Sequence, residues 1–213
     1  MPRARLLVLA LMLSLLGVRI AAAQEATPLP AGAVALPATP GPELCTLPPR
    51  GVDEYAAFVG QPVPAAPESV TITAGRPADP VTVDAITATM VAFAACINAG
   101  DYLRVGGAYT DAGFAEDNAA NIDEGVLGFV AATPQPAPID QRYAIYAVYA
   151  AQVLDDGRVA AIIQFGPDGT GGVNLLIFAE EGTRWLIDHW VDEPFLIRPA
   201  DLGSASAEAT PAT

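Results

Sequence analysis

The sequence predicts an α+β fold, with helices packed on an antiparallel sheet of about four strands. Three observations carry the prediction. Residues 79–101 hold a capped amphipathic helical pattern, and from Tyr143 onward the pattern changes to long apolar runs. Those runs are separated by Asp-Asp-Gly, glycine-rich and Glu-Gly turns, which are short enough only for antiparallel neighbours. Helices first and strands after define the class.

Taken in order, the chain opens on a leader. Met1 to Arg5 carry two arginines, Leu6 to Val18 are almost wholly apolar, and Ala21-Ala22-Ala23 supplies small residues before a cut at Gln24. The apolar run falls short of the roughly 20 residues that span a bilayer core. Residues 1–23 are therefore expected to be a removed signal peptide, and the mature chain to be secreted or held in the cell envelope. Seven of the ten arginines then face twenty-four acidic residues with no lysine, a mature net charge of −17. Such a chain repels phosphate backbones and anionic lipid, so neither nucleic acid nor membrane is an expected partner.

Residues 24–78 form a Pro/Ala-rich arm carrying Cys45, with too little apolar periodicity to order its first half. Within it Asp53–Val59 has the composition of two helical turns and Ser69–Thr73 that of a short strand. The folded domain is expected over residues 79–200. Asp79 is an N-cap, Pro80 falls at the first helical position, and Val83, Ile86, Met90, Phe93, Ala94 and Ile97 make one apolar stripe. Gly100 suits the left-handed stop, and Asp101 caps a second helix, Tyr102 to about Tyr109, weakened by Gly106-Gly107. A third helix, about Ile122 to Ala131, ends before Thr133-Pro134.

The strands are expected at Tyr143–Leu154, Val159–Phe165, Val173–Ala179 and Trp185–Val191. They are too apolar for a fully solvated face, so the helices must cover the sheet. Residues 201–213 are low-complexity and expected to be disordered.

Cys45 and Cys96 are the only cysteines, so one intramolecular pairing exists and export permits it. Cys96 lies in a column of small residues, Ala85, Thr89 and Ala92, that lets another backbone approach; the arm is the natural candidate. The alternative, a reactive thiol, has no base or cation beside either cysteine in sequence.

Chemistry is sparse. One histidine and two distant cysteines do not make a metal site, and no cofactor motif appears. The glycine-rich Gly166–Gly172 sits between strands and reads as a hairpin turn, and Asp155, Asp156 and Asp168 supply too few oxygens for calcium. Strict alternation on the last strand puts Trp185, Ile187, His189 and Val191 on one face and Leu186, Asp188 and Trp190 on the other. Asp188 and His189 are the candidate catalytic residues, each an acid or base if turned into an apolar cavity. Tyr109, Tyr146, Tyr149 and Trp190 are the candidate ligand-binding residues.

The phrase Cys96-Ile-Asn-Ala-Gly-Asp-Tyr102, followed by Ala108-Tyr109-Thr110-Asp111, resembles the first two helices of SnoaL-like domains of the nuclear transport factor 2-like superfamily. Asp155-Asp156-Gly157-Arg158-Val159 and Gly182-Thr-Arg-Trp-Leu-Ile-Asp188 resemble its closing strands. The resemblance covers about Asp79 to Glu193. It implies a cone, a curved sheet wrapped around the first helix to enclose a pocket. Enzymatic members set an acid or base and a tyrosine or aspartate donor there, and no residue of this chain matches those roles one by one. Phe114 to Asn121 also leaves little room for the family's early hairpin. The expectation is an exported, non-enzymatic domain that binds a small hydrophobic ligand or a protein partner, with a homodimer through the sheet as one form of it. An isomerase- or cyclase-like enzyme is the alternative.

Overall fold

A computed structural model describes residues 34–35, 39–61, 75–119, 121–167 and 172–191. The expected leader, the Ser69–Thr73 strand and the tail lie outside these residues. The arm contributes β1 (Val34–Ala35), a 3-10 turn at Pro42–Leu44, α1 (Val52–Ala56) and β2 (Arg76–Pro77).

The long helix α2 (Pro80–Ala99) follows, and its ends are set by local chemistry. Asp79 accepts hydrogen bonds from the Thr82 amide and hydroxyl, satisfying first-turn donors, and Gly100 stops the helix at φ 68°. A Cβ on Gly100 would also lie 2.3 Å from the Gln135 carbonyl oxygen, so two separate constraints select glycine there. By length and apolarity α2 passes for a membrane span, yet Ile86, Met90 and Phe93 lie in the protein core.

The next elements depart from the expectation. The second helix is only α3 (Tyr102–Val105), after which Gly106–Ala108 tightens into a 3-10 turn. An unexpected α4 (Asp111–Ala119) fills the stretch that had no room for a hairpin. The third expected helix is α5 (Glu124–Val130), capped by Asp123 through the Val126 amide, so Ile122 lies before it.

Four long strands make the sheet: β3 (Tyr143–Val153), β4 (Val159–Pro167), β5 (Gly172–Glu181) and β6 (Arg184–Val191). Every pairing between these strands is antiparallel, in the order β1-β3-β4-β5-β6, and β2 also pairs with β3. The fold is α+β as expected, with two two-residue strands added to the four.

Helix α2 packs on one face of the sheet. Ile86, Met90 and Phe93 join Val148, Ile163, Leu176, Phe178 and Ile187 in the main core. A second cluster, Ala160, Ile162, Leu175 and Ile177, lies on the opposite face with Tyr149, Leu154 and Val191 against it. Both faces are apolar, which is why the strands read as near-continuous hydrophobic runs.

Register shifts bend the sheet, two in β3 (Ile145 to Ala147 and Tyr149 to Gln152) and one in β6, where Ile187 and His189 pair with adjacent residues of β5. Ala150, in the second β3 bulge, has φ 51°, a region that disfavours a Cβ. Ala150→Gly is expected to stabilise the protein by about 0.5 kcal/mol, the relief of the left-handed strain exceeding the glycine entropy. Thermal unfolding checks this; a lower melting temperature would show that the Ala150 methyl is needed by the second cluster.

The arm is held on the helical side. Cys45 and Cys96 form a disulfide with Cα atoms 4.5 Å apart. Arg50 donates to the carbonyl oxygens of Gly106 at 3.2 Å and Tyr109 at 2.9 Å, pairs with Asp111 at 2.6 Å and stacks over Phe114. The Arg50 amide donates to the Leu103 carbonyl, and Tyr55 Oη to that of Tyr102. These acceptors sit along α3 and its 3-10 extension, where the carbonyls of Tyr102 and Gly106 also accept from the Gly106 and Tyr109 amides, so the arm adds a second bond to each.

Burial pushes the Tyr55 phenol up to about 12, against an ordinary 10. A pKa raised on folding gives stability that is complete below pH 10 and is lost as pH rises toward 12. Tyr55→Phe is expected to flatten that alkaline loss, read by urea unfolding at a series of pH values; an unchanged alkaline slope would assign the effect to another tyrosine.

Candidate functional site

The residues that converge are aromatic. From α2, Phe93 reaches Tyr109 at 6.1 Å, Phe165 on β4 at 6.1 Å and Trp190 on β6 at 6.3 Å between ring centroids. Phe165 also meets Trp190 at 5.5 Å and Tyr143 on β3 at 6.1 Å. Phe93, Tyr109 and Phe165 are buried, whereas Trp190 and Tyr143 are half-buried. Edge-to-face and tilted rings of this kind contribute about 0.5–1.5 kcal/mol per pair beyond their burial.

Local geometry explains the convergence. Tyr109 pairs as an isolated bridge with Ile187, and the Thr110 amide donates to the Ile187 carbonyl at 2.9 Å, fixing the segment before α4 along β6. Gly113 lets α4 approach, since a Cβ there would lie 2.6 Å from the Ile187 oxygen. Burial raises the Tyr109 phenol well above its ordinary value. Tyr102 meets the exposed Phe129 of α5 with ring centroids 4.6 Å apart and planes tilted by 48°. Burial first and the neighbouring Tyr143 second raise the Tyr102 phenol.

Of the four sequence candidates for ligand binding, Tyr109 and Trp190 are brought together through Phe93. Tyr149 packs with the second cluster on the opposite face, and Tyr146 is the extra residue of the first β3 bulge. Phe93, Phe165 and Tyr143 were not singled out by sequence. Their signal was the recurrence of aromatics at inward positions of separate elements, which becomes visible only once the pairing is known.

The alternation assigned to β6 is overturned. The shift in register makes Asp188 an extra residue, so the faces exchange beyond it. Trp185, Ile187 and Trp190 pack with the main core, while Val191 packs with the second cluster and His189 pairs with Ile177 of that cluster. Asp188 and His189 do not bond each other. Asp188 accepts from Thr110 Oγ1 at 2.8 Å and from Arg158 Nη1 at 2.9 Å, so both its oxygens are engaged. His189 Nδ1 lies 2.5 Å from Glu116 Oε2 on α4. That contact joins residues 73 apart in the chain, so it is invisible in sequence, and it fixes one ring nitrogen.

Among the described residues no cluster of metal-ligating side chains occurs. The Asp156 carboxylate is occupied by Arg158, whose hydrogen bonds hold it below the usual carboxylate range. Asp168 lies outside the described residues. The described residues thus present an aromatic cluster graded from buried to half-buried, with the Asp188–Arg158 ion pair and the Glu116–His189 contact on the same strand as Trp190. No protein-family model, curated protein or solved structure matches the chain.

Proposed function

We propose that this protein is an exported, non-enzymatic domain of the SnoaL-like type that binds a small hydrophobic ligand against its aromatic cluster. The observation that carries the reading is the contact of half-buried Trp190 and Tyr143 with buried Phe165, and of Trp190 with buried Phe93, which meets Tyr109. Aromatic side chains with a few polar tips are the usual lining of small-molecule sites. The disulfide supports an oxidising compartment, consistent with the leader-like residues 1–23.

Mass spectrometry of the natively exported chain under gentle and denaturing conditions tests the reading. An extra small-molecule mass under gentle conditions only, lost in Trp190→Ala, is the expected outcome. A bare mass, together with unchanged tryptophan fluorescence on titration with naphthalene, would sink it.

A second reading, an isomerase- or cyclase-like enzyme, is favoured by one contact, the Glu116–His189 pair, because a carboxylate on Nδ1 orients an imidazole for proton transfer. Turnover of a ketosteroid that disappears in His189→Ala and persists in Asp188→Asn would replace the first reading by this one.

A further inference from the structure

The arm lies in a groove made for it. The floor is Gly106-Gly107, where a Cβ on Gly107 would lie within 2 Å of the Pro48 carbonyl oxygen and one on Gly106 would lie 2.3 Å from the Tyr55 hydroxyl oxygen. The walls offer carbonyl oxygens of Tyr102, Leu103, Gly106 and Tyr109, all taken by the arm's Arg50 and Tyr55. Asn98 donates to Pro40 at one end, Arg104 donates to Leu47, and Phe114 receives Tyr55 and Phe58 at the other. This is the chemistry of a peptide-recognition site, main-chain bonds plus side-chain anchors, with its ligand on the same chain.

The tether between Gln61 and Gly75 is residues 62–74. Fully extended it reaches about 45 Å, beyond the roughly 35 Å width of a folded body of this size. Nothing in the groove distinguishes an arm on its own chain from the identical arm of another.

We propose that the arm of one copy docks in the groove of a second, giving an arm-exchanged dimer closed by two Cys45–Cys96 disulfides between chains. The exchange conserves thiols. A glutathione thiolate attacks Cys45 Sγ, forming a mixed disulfide and releasing the Cys96 thiolate. The Cys96 thiolate of the second chain then attacks that Cys45 Sγ and expels the glutathione thiolate. Reciprocal docking closes the pair with two-fold symmetry, the low-cost route to a dimer.

The test uses the unaltered mature chain. Equal amounts of ¹⁵N-labelled and unlabelled protein are reduced, mixed and reoxidised with reduced and oxidised glutathione over a range of protein concentrations. Monomer and dimer fractions are separated and digested, and the disulfide-linked peptides weighed. About half the linkages in the dimer are expected to join one heavy and one light peptide, with none in the monomer. A dimer fraction that grows with concentration completes the expected result. The proposal is overturned by the absence of a dimer, or by a dimer with only all-heavy and all-light linkages, which would place its contact elsewhere, the sheet included. Mixed linkages that form equally in urea, where no groove exists, also overturn it.

Discussion

Replacing Asn98 by alanine is expected to lower the folding free energy by about 4 kcal/mol, among the largest effects of any single side chain. The Asn98 amide is fully buried near the end of α2 and donates to the carbonyls of Pro40 at 2.8 Å and Tyr143 at 2.9 Å. Its oxygen accepts from the Tyr143 amide at 2.7 Å. One side chain thus satisfies main-chain groups of the arm and of β3, and its own carbonyl accepts from Ala137. Alanine would leave three main-chain groups unpaired, each costing about 1–3 kcal/mol before relaxation or entering water offsets part of it. Asn98→Asp, which keeps the shape and loses the donors, is expected to cost nearly as much. Urea unfolding midpoints decide the matter: a loss below about 1 kcal/mol for both variants would show that water replaces these bonds.

Removing the disulfide, by Cys45→Ala with Cys96→Ala, is expected to cost a similar amount. Closure across a separation of 51 residues corresponds to about 4 kcal/mol in the chain-entropy treatment. The bond constrains the unfolded chain, whereas Arg50, Tyr55 and Leu47 hold the arm in the folded one. The variant is therefore expected to keep its native circular dichroism in buffer and to lose stability chiefly in its urea midpoint. Arm-specific proteolysis of the variant before global unfolding would instead make the disulfide the arm's main attachment.

Features set by neighbours in sequence were legible from it. Asp79, Pro80 and Gly100 bound α2 where expected, because caps act within one turn. The turns after Leu154 and Glu181 were legible for the same reason, and so was the single cysteine pairing. What was not legible depends on partners remote in sequence. The extra residue at Asp188 is set by how β6 meets β5, and it turns His189 to the other face. Helix α4 lacks an apolar stripe and carries Gly113, whose reason is the β6 backbone beside it. Arg50 sits in a proline-rich stretch that reads as linker, and its role depends on carbonyls more than fifty residues away. The aromatic cluster joins four separate elements with the bridge at Tyr109, so each ring alone read as ordinary core.

The borders of the sheet have a consequence for how the protein behaves in a crowded compartment. On β3 the outward row of donors and acceptors is met by β1 at Ala147–Val148 and by β2 at Gln152–Val153, with the Ala150 bulge between them. On β6 the Thr110 amide takes the Ile187 carbonyl, and Gly113 brings α4 against the same stretch. A foreign strand thus finds neither border open along its middle, and bulges break what remains into short pieces. Four long, strongly apolar strands would otherwise template fibrils readily; here the elements that cover the borders also guard against aggregation.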